Sequence, residues 1–246
     1  INATSESTAH AAWFAAQLQV QYPDAWPETI RGLIVHSAEW TPELISQFKI
    51  DLDKKGSIAR LMKICGYGIP NFRKALNSLN NSLTLIAQEE IQPFIKRDSG
   101  GYKAKDMHLF KLPWPKETLL GLGEKMVKLR ITLSYFIEPG PGEIGWKDRY
   151  RYASHALRFD LNNPSESIES FTKRINAAIE RDDDYQSVKN DTERWTIGSD
   201  SRHHGSIHSD YIERTAAEIA SSSLIGIYPV VGWWKERTNL KFMEKR

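Results

Sequence analysis

The sequence predicts an α/β chain in two parts, helical over residues 1–80 and an antiparallel β-sandwich over residues 81–246. Three observations carry this. Prolines punctuate the apolar runs before residue 80, at places where helices stop or start. The hydrophobic spacing shortens near residue 81, and residues 127–137 then alternate with a period of two. At 246 residues the chain is long enough to bury one large core or two modest ones.

Ser5 to Tyr22 reads as the first helix, stopped by Pro23, which cannot continue it. Alanines at 9, 11, 12, 15 and 16 accompany Trp13, Phe14, Leu18 and Val20. Small residues on several faces predict a central helix with close neighbours all round, since a surface helix would carry one narrow apolar stripe. Pro27 opens a second helix, with Glu28 at its positive end and Ile30, Leu33 and Ile34 at core spacing. Pro42 begins a shorter helix through Phe48, and a helical stretch follows around Ile58 to Ile64. Gly66 to Asn71 is a turn whose two glycines permit a backbone closed to other residues, and a last helix runs from Asn71 to Leu79.

Beyond the boundary, Leu83–Ala87, Ile91–Ile95 and His108–Leu112 read as short strands. In residues 127–137, Val127, Leu129, Ile131, Leu133, Tyr135 and Ile137 share one face, and Pro139 to Gly142 ends the run. Strands at 153–161, 194–198, 205–211, 215–220 and 224–231 have the spacing of a sandwich. One helix interrupts them: Asn163 as cap, Pro164 in the first turn, Glu166 as its acid, then Ile168, Phe171, Ile175 and Ile179 on one face.

Thirty-three Lys and Arg against 31 Asp and Glu give a net charge of +2, too balanced for a nucleic-acid or anionic-lipid footprint. No apolar run approaches the roughly 18–20 residues of a membrane span, so no membrane partner is expected. Residues 1–20 lack a basic stretch followed by an apolar one, so no signal peptide is read there. The single Cys65 excludes an internal disulfide and a cysteine-built zinc site, and it points to a reducing, cytoplasmic compartment.

A serine before an alanine-rich helix is, as a bare pattern, a helix cap. Here the surrounding residues say more. Residues 2–12, Asn-Ala-Thr-Ser-Glu-Ser-Thr-Ala-His-Ala-Ala, resemble the nucleophile motif of the subtilisin-like serine proteases, in which Asn/Ser-Gly-Thr-Ser precedes a small-residue helix with a His five positions on. Tyr22-Pro23 with Pro27 to Arg31, then Ile34 to Trp40, then Gly66 to Asn71 leading to Lys74-Ala75-Leu76 extend the resemblance in order across residues 2–80. The family likeness implies the carboxy-terminal part of a three-layer α/β/α catalytic domain, with Ser5 as the nucleophile. It also implies that the triad Asp and His and the oxyanion Asn lie upstream of Ile1, so that the chain alone is inactive and its first helix exposes apolar surface. Residues 82–234 more loosely resemble the jelly-roll-like sandwich that follows some bacterial subtilisin-like domains.

Ala3 stands where the family has Gly, which would strain the entry turn if positive φ were needed, and Glu6 directly follows the serine. These two departures are the support for a rival reading, an inactive scaffold that binds protein or carbohydrate through the sandwich. A hydrolase of another fold would want a Gly-x-Ser-x-Gly elbow, which the sequence lacks. His10 and His36 read as structural, hydrogen-bonded core histidines, because five residues on from Ser5 the His10 side chain faces another direction. Asp200, His203, His204, His208 and Asp210 are residue types that ligate zinc. Adjacent His203 and His204 on a strand would face opposite sides, so the stretch reads as a polar hairpin and neither metal nor cofactor is assigned. Asp182-Asp183-Asp184 lacks calcium-loop spacing and reads as a solvated turn after the helix. Asn2, Asn80 and Asn190 head Asn-x-Ser/Thr triplets without implying glycans. Trp146, Trp195, Tyr228, Trp233 and Trp234 read as core aromatics, with a sugar- or peptide-binding platform as the alternative. The partners implied by the resemblance are a peptide or protein substrate and the upstream remainder of the catalytic domain.

Overall fold

The prolines set the helix limits in the first part of the chain. The computed structural model describes residues 3–78, 84–96, 98, 102–139, 153–183, 194–230 and 232–236, apart from the side chains of 102, 181–183, 235 and 236. Helix α1 (Thr4–Gln21) ends before Pro23, α2 (Pro27–Ser37) starts on Pro27, and α3 (Pro42–Gln47) starts on Pro42 with the Thr41 side chain accepting from Leu44 N–H. Helix α4 (Lys55–Cys65) is longer than the sequence predicts. Helix α5 (Phe72–Leu76) is shorter, capped by Asn71, whose side chain accepts from Lys74 N–H.

Between α4 and α5 the chain turns through Gly66 (φ 56°) and Gly68 (φ 98°). Ile69 and Glu39 exchange backbone hydrogen bonds of 2.9 and 3.0 Å in an antiparallel bridge. A methyl group on Gly68 would lie 2.2 Å from Glu39 O, so both its conformation and its contact require glycine.

The chain divides into two compact units: residues 1–88, 130–134 and 195–210 in the first, and 89–129, 135–194 and 211–246 in the second. In the first, Phe14, Leu18, Tyr22, Ile30, Leu33 and Ala75 form a buried cluster of α1, α2 and α5. Segments of β4 (Met126–Ser134) and β6 (Ile207–Thr215), which pair with each other, and the short α8 (Ser199–Arg202) complete it.

The second unit holds an antiparallel pair, β1 (Phe94–Lys96) with β2 (Tyr102–Ala104). It also holds a three-stranded antiparallel sheet in the order β3 (His108–Lys111), β7 (Leu224–Val230), β5 (Ala156–Leu161). Helix α7 (Ile168–Asp183) lays Phe171 and Ile175 against Leu224, Tyr228 and Val230 of the central strand. Gly226 makes this possible, since a methyl group there would lie 2.3 Å from Ile175 Cδ1. Where the sequence predicts sheet facing sheet, a helix covers this sheet, because the apolar stripe of α7 supplies the facing layer.

Several expected elements differ. Residues 215–220 form helix α9 (Ala216–Ser221) in place of a strand, because Thr215 and Glu218 make a reciprocal capping box. Residues 194–198 are turn and bend, residues 84–87 have no regular structure, and Lys116–Leu122 form an unforeseen helix, α6. Helix α7 begins at Ile168, later than the Asn163 cap predicts: Ser167 Oγ accepts from Ser170 N–H, while Pro164 and Ser165 form a turn with Ser165 at φ 61°. Glu166 accepts from Asn163 N–H at 2.8 Å, the bond expected of a cap acid, but its carboxylate also pairs with Arg174, which binds Asp160 and Leu161 O as well. Asp182 and Asp183 lie in α7, not in a turn after it. Ile1, Asn2, Asn80, Leu83, Gly140 to Gly142, Trp146, Asp184 and Asn190 fall outside the described residues.

Candidate functional site

Ser5 sits in the first turn of α1, one residue inside it, and is exposed. The first helical hydrogen bond runs from Ser7 N–H to Ala3 O, 2.9 Å, so the Ser5 N–H has no acceptor within the helix and points out at its positive end. A hydroxyl and an unused amide on one rigid turn can respectively attack a carbonyl carbon and hold the oxygen that becomes negative. Ala3 has φ −102° and ψ 36°, so the entry turn needs no left-handed residue and does not call for glycine.

The neighbours of Ser5 are polar and wet. Glu6, in the same turn, lies 3.8 Å from His10 Nε2, with the two side chains 70% and 74% exposed. This overturns the reading of His10 as a core histidine: residues 4–13 of α1 are all exposed, leaving nothing to bury it. Trp13 is 53% exposed and Val20 78%, the uncovered apolar surface expected of this helix, while Phe14 and Leu18 are its buried residues. Among the described residues no imidazole or carboxylate hydrogen-bonds Ser5 Oγ.

His36 is the structural histidine expected. Its Nδ1 lies 3.0 Å from Thr132 Oγ1, and burial, with Arg130 and then Lys74 nearby, lowers it to about 4. The histidine-rich stretch builds a buried polar knot. Asp210 accepts from Ile197 and Gly198 N–H at 2.8 and 2.9 Å and pairs with Arg202 at 3.2 Å, and Arg202 stacks over Trp195 at 5.0 Å. The rings of His203 and His208 are 5.6 Å apart, and His208 Nε2 meets Gly205 O. Among the described residues no three His, Cys, Asp or Glu side chains converge as a metal site. The carboxylate read as a metal-ligand type thus ties down a backbone turn. The sequence signal for that role was Arg202 beside the histidines, which a search for ligands passes over.

A Ser–His contact lies in the other unit, where Ser154 Oγ is 3.1 Å from His155 Nδ1. Ser154 is fully buried and accepts from Glu138 N–H, and burial lowers His155 to about 4, so the pair is interior packing closed to a substrate. The His155 ring packs at 5.0 Å from Trp234, which is buried against Phe94, while Trp195 and Tyr228 are also buried. These aromatics are core, not a platform. Among the described residues no helix is long and apolar enough to cross a membrane.

Residues 1–68 match the model of the Subtilase family. No curated protein and no solved structure matches the chain. The matched stretch runs from the Ser5 turn through α1 to α4 and ends on Gly68. At the level of the family, this stretch is similar to serine peptidases.

Proposed function

We propose that residues 1–80 are the nucleophile-bearing, carboxy-terminal part of the catalytic domain of a subtilisin-like serine endopeptidase, with Ser5 as the acyl-enzyme nucleophile. The observation that carries this is the coincidence, on one turn, of the family match with an exposed Ser5 hydroxyl and a Ser5 N–H that the helix leaves unused. In this reading Ser5 Oγ attacks the scissile carbonyl of a peptide substrate, and a His from sequence preceding Ile1 takes its proton. An upstream Asp orients that His, and the Ser5 N–H with an upstream Asn holds the oxyanion. The chemistry calls for no metal. Negative φ at Ala3 removes one of the two supports of the inactive-scaffold reading.

The test is peptide hydrolysis by the natural polypeptide that contains this chain, compared with its Ser5→Ala variant. The reading expects the variant to lose turnover by several orders of magnitude while keeping its fold. Equal turnover in both would move the nucleophile elsewhere. It also expects residues 1–246 alone to hydrolyse nothing, because no described group can take the Ser5 proton.

A further inference from the structure

We infer that helix α2 and strands β4 and β6 meet across a polar seam that opens in acid, with His36 as its trigger. The inference uses residues of the first unit alone and does not rest on Ser5 being a nucleophile.

The seam is polar along its length. Arg31 donates to Ser134 Oγ at 3.1 Å, to Ser206 Oγ at 3.2 Å and to Ser206 O at 2.7 Å. Five residues further on, His36 Nδ1 meets Thr132 Oγ1 at 3.0 Å, and Thr132 Oγ1 in turn meets Ser209 Oγ at 2.8 Å. Arg130 reaches back from β4 to His36 O at 2.9 Å and Ala38 O at 2.5 Å, binding the last carbonyls of α2. Tyr67 accepts from Ser209 N–H at 3.2 Å and donates to Ile207 O at 3.1 Å. The helix runs close to β4 at Gly32, where a methyl group would be in ordinary contact with Ser134 Cβ at 3.4 Å. Hydrogen bonds therefore join α2 to these strands.

Such a joint is sensitive to any change of charge inside it. The imidazole faces Arg130 from β4 and Lys74 from α5, and Arg31 lies on its own helix; from β6 the partner in its chain is the neutral Ser209. The Glu39 carboxylate is held by Lys74 Nζ at 2.5 Å. A proton on His36 would thus add a cation to a half-buried site already facing cations. Burial, Arg130 and Lys74 hold the ring near 4, below its ordinary 6.5. A depressed histidine is neutral when folded and takes its proton readily when unfolded. Its contribution is complete above about pH 6.5 and is lost as pH falls toward 4.

The experiment follows the His36 ring by NMR through a pH titration of the intact chain. Amide exchange, corrected for its intrinsic pH dependence, is measured in parallel at pH 7 and pH 4 over residues 27–37, 130–134 and 206–209. Wild type should titrate well below 6.5, and its seam should lose at least tenfold protection at pH 4 while α7 and β7 keep theirs. His36→Asn, which keeps a polar group near Nδ1 and takes no proton in this range, should hold its protection between the two pH values. A ring titrating at 6.5 or above, unchanged seam protection at pH 4, simultaneous loss in α7, or equal loss in His36→Asn would overturn the inference. Should His36→Asn not fold, the wild-type titration and exchange alone decide.

Discussion

Helices α1 and α7 are of similar length, 18 and 16 residues, and they differ in what holds them. Helix α7 concentrates Phe171 and Ile175 in one stripe and buries both against β7, at a strand position cleared by Gly226. In α1, alanines cover a broad arc beside the stripe, Phe14 and Leu18 are its buried residues, and the turn that carries Ser5 is exposed. A helix with a stripe carries its own packing instructions. One rich in small residues suits close neighbours, yet its first ten residues are all exposed, with the Trp13 ring 4.8 Å from that of Phe72.

The largest effects should come from interior positions of each region. Gly68→Ala places a methyl group 2.2 Å from Glu39 O at a φ of 98°, and should cost about 3 kcal/mol or more in chemical denaturation. Phe171→Ala should cost about 3–5 kcal/mol by the same measurement, because it removes the main contact between α7 and its sheet. If α1 is as loosely held as its exposure indicates, Ala12→Gln on its open face should change stability by less than about 0.5 kcal/mol. A cost of several kcal/mol there would show that the alanine surface is covered in solution, and the contrast with α7 would disappear.

A smaller, pH-dependent effect belongs to the entry of α7. Burial tends to raise Glu166, but hydrogen bonds from Arg174 and from the Asn163 backbone outweigh it and hold the carboxyl below its ordinary 4.5. Its stabilisation is present above that value and falls away as the pH drops through the lower folded value. Glu166→Gln should therefore cost about 1–2 kcal/mol at pH 7, measured by urea unfolding, and the difference should shrink on acidification.

Much of this contrast was legible in the chain. Pro23, Pro27 and Pro42 mark helix limits through a missing N–H, a local property that tertiary structure does not override. The alternation in 127–137 gave β4 within a few residues for the same reason. Residues 215–220 misled because their spacing from the neighbouring runs suits a strand, and the decisive signal was the Thr215–Glu218 capping box three residues apart. Cap-like residues likewise set α7 too early: Asn163 and Glu166 do bond, but around a turn with Ser165 at positive φ, and Arg174, eight positions away, shares the carboxylate. At the candidate site, Ser5 was readable from its motif, while the surroundings of His10 were not: a histidine's burial depends on chain that packs over it. The polar seam at His36 was hidden too, since its partners Thr132 and Ser209 lie about one hundred residues or more from it in sequence.

The central claim is that Ser5 is a nucleophile completed by residues outside this chain. Its most direct test is fluorophosphonate labelling, with peptide mass mapping, of residues 1–246 and of the natural polypeptide that contains them, alongside Ser5→Ala. The account predicts a label on Ser5 in the longer form, none on the shorter chain, and none in the variant. A folded longer form whose Ser5 stays unlabelled would contradict it and leave Ser5 as a residue of the helix turn.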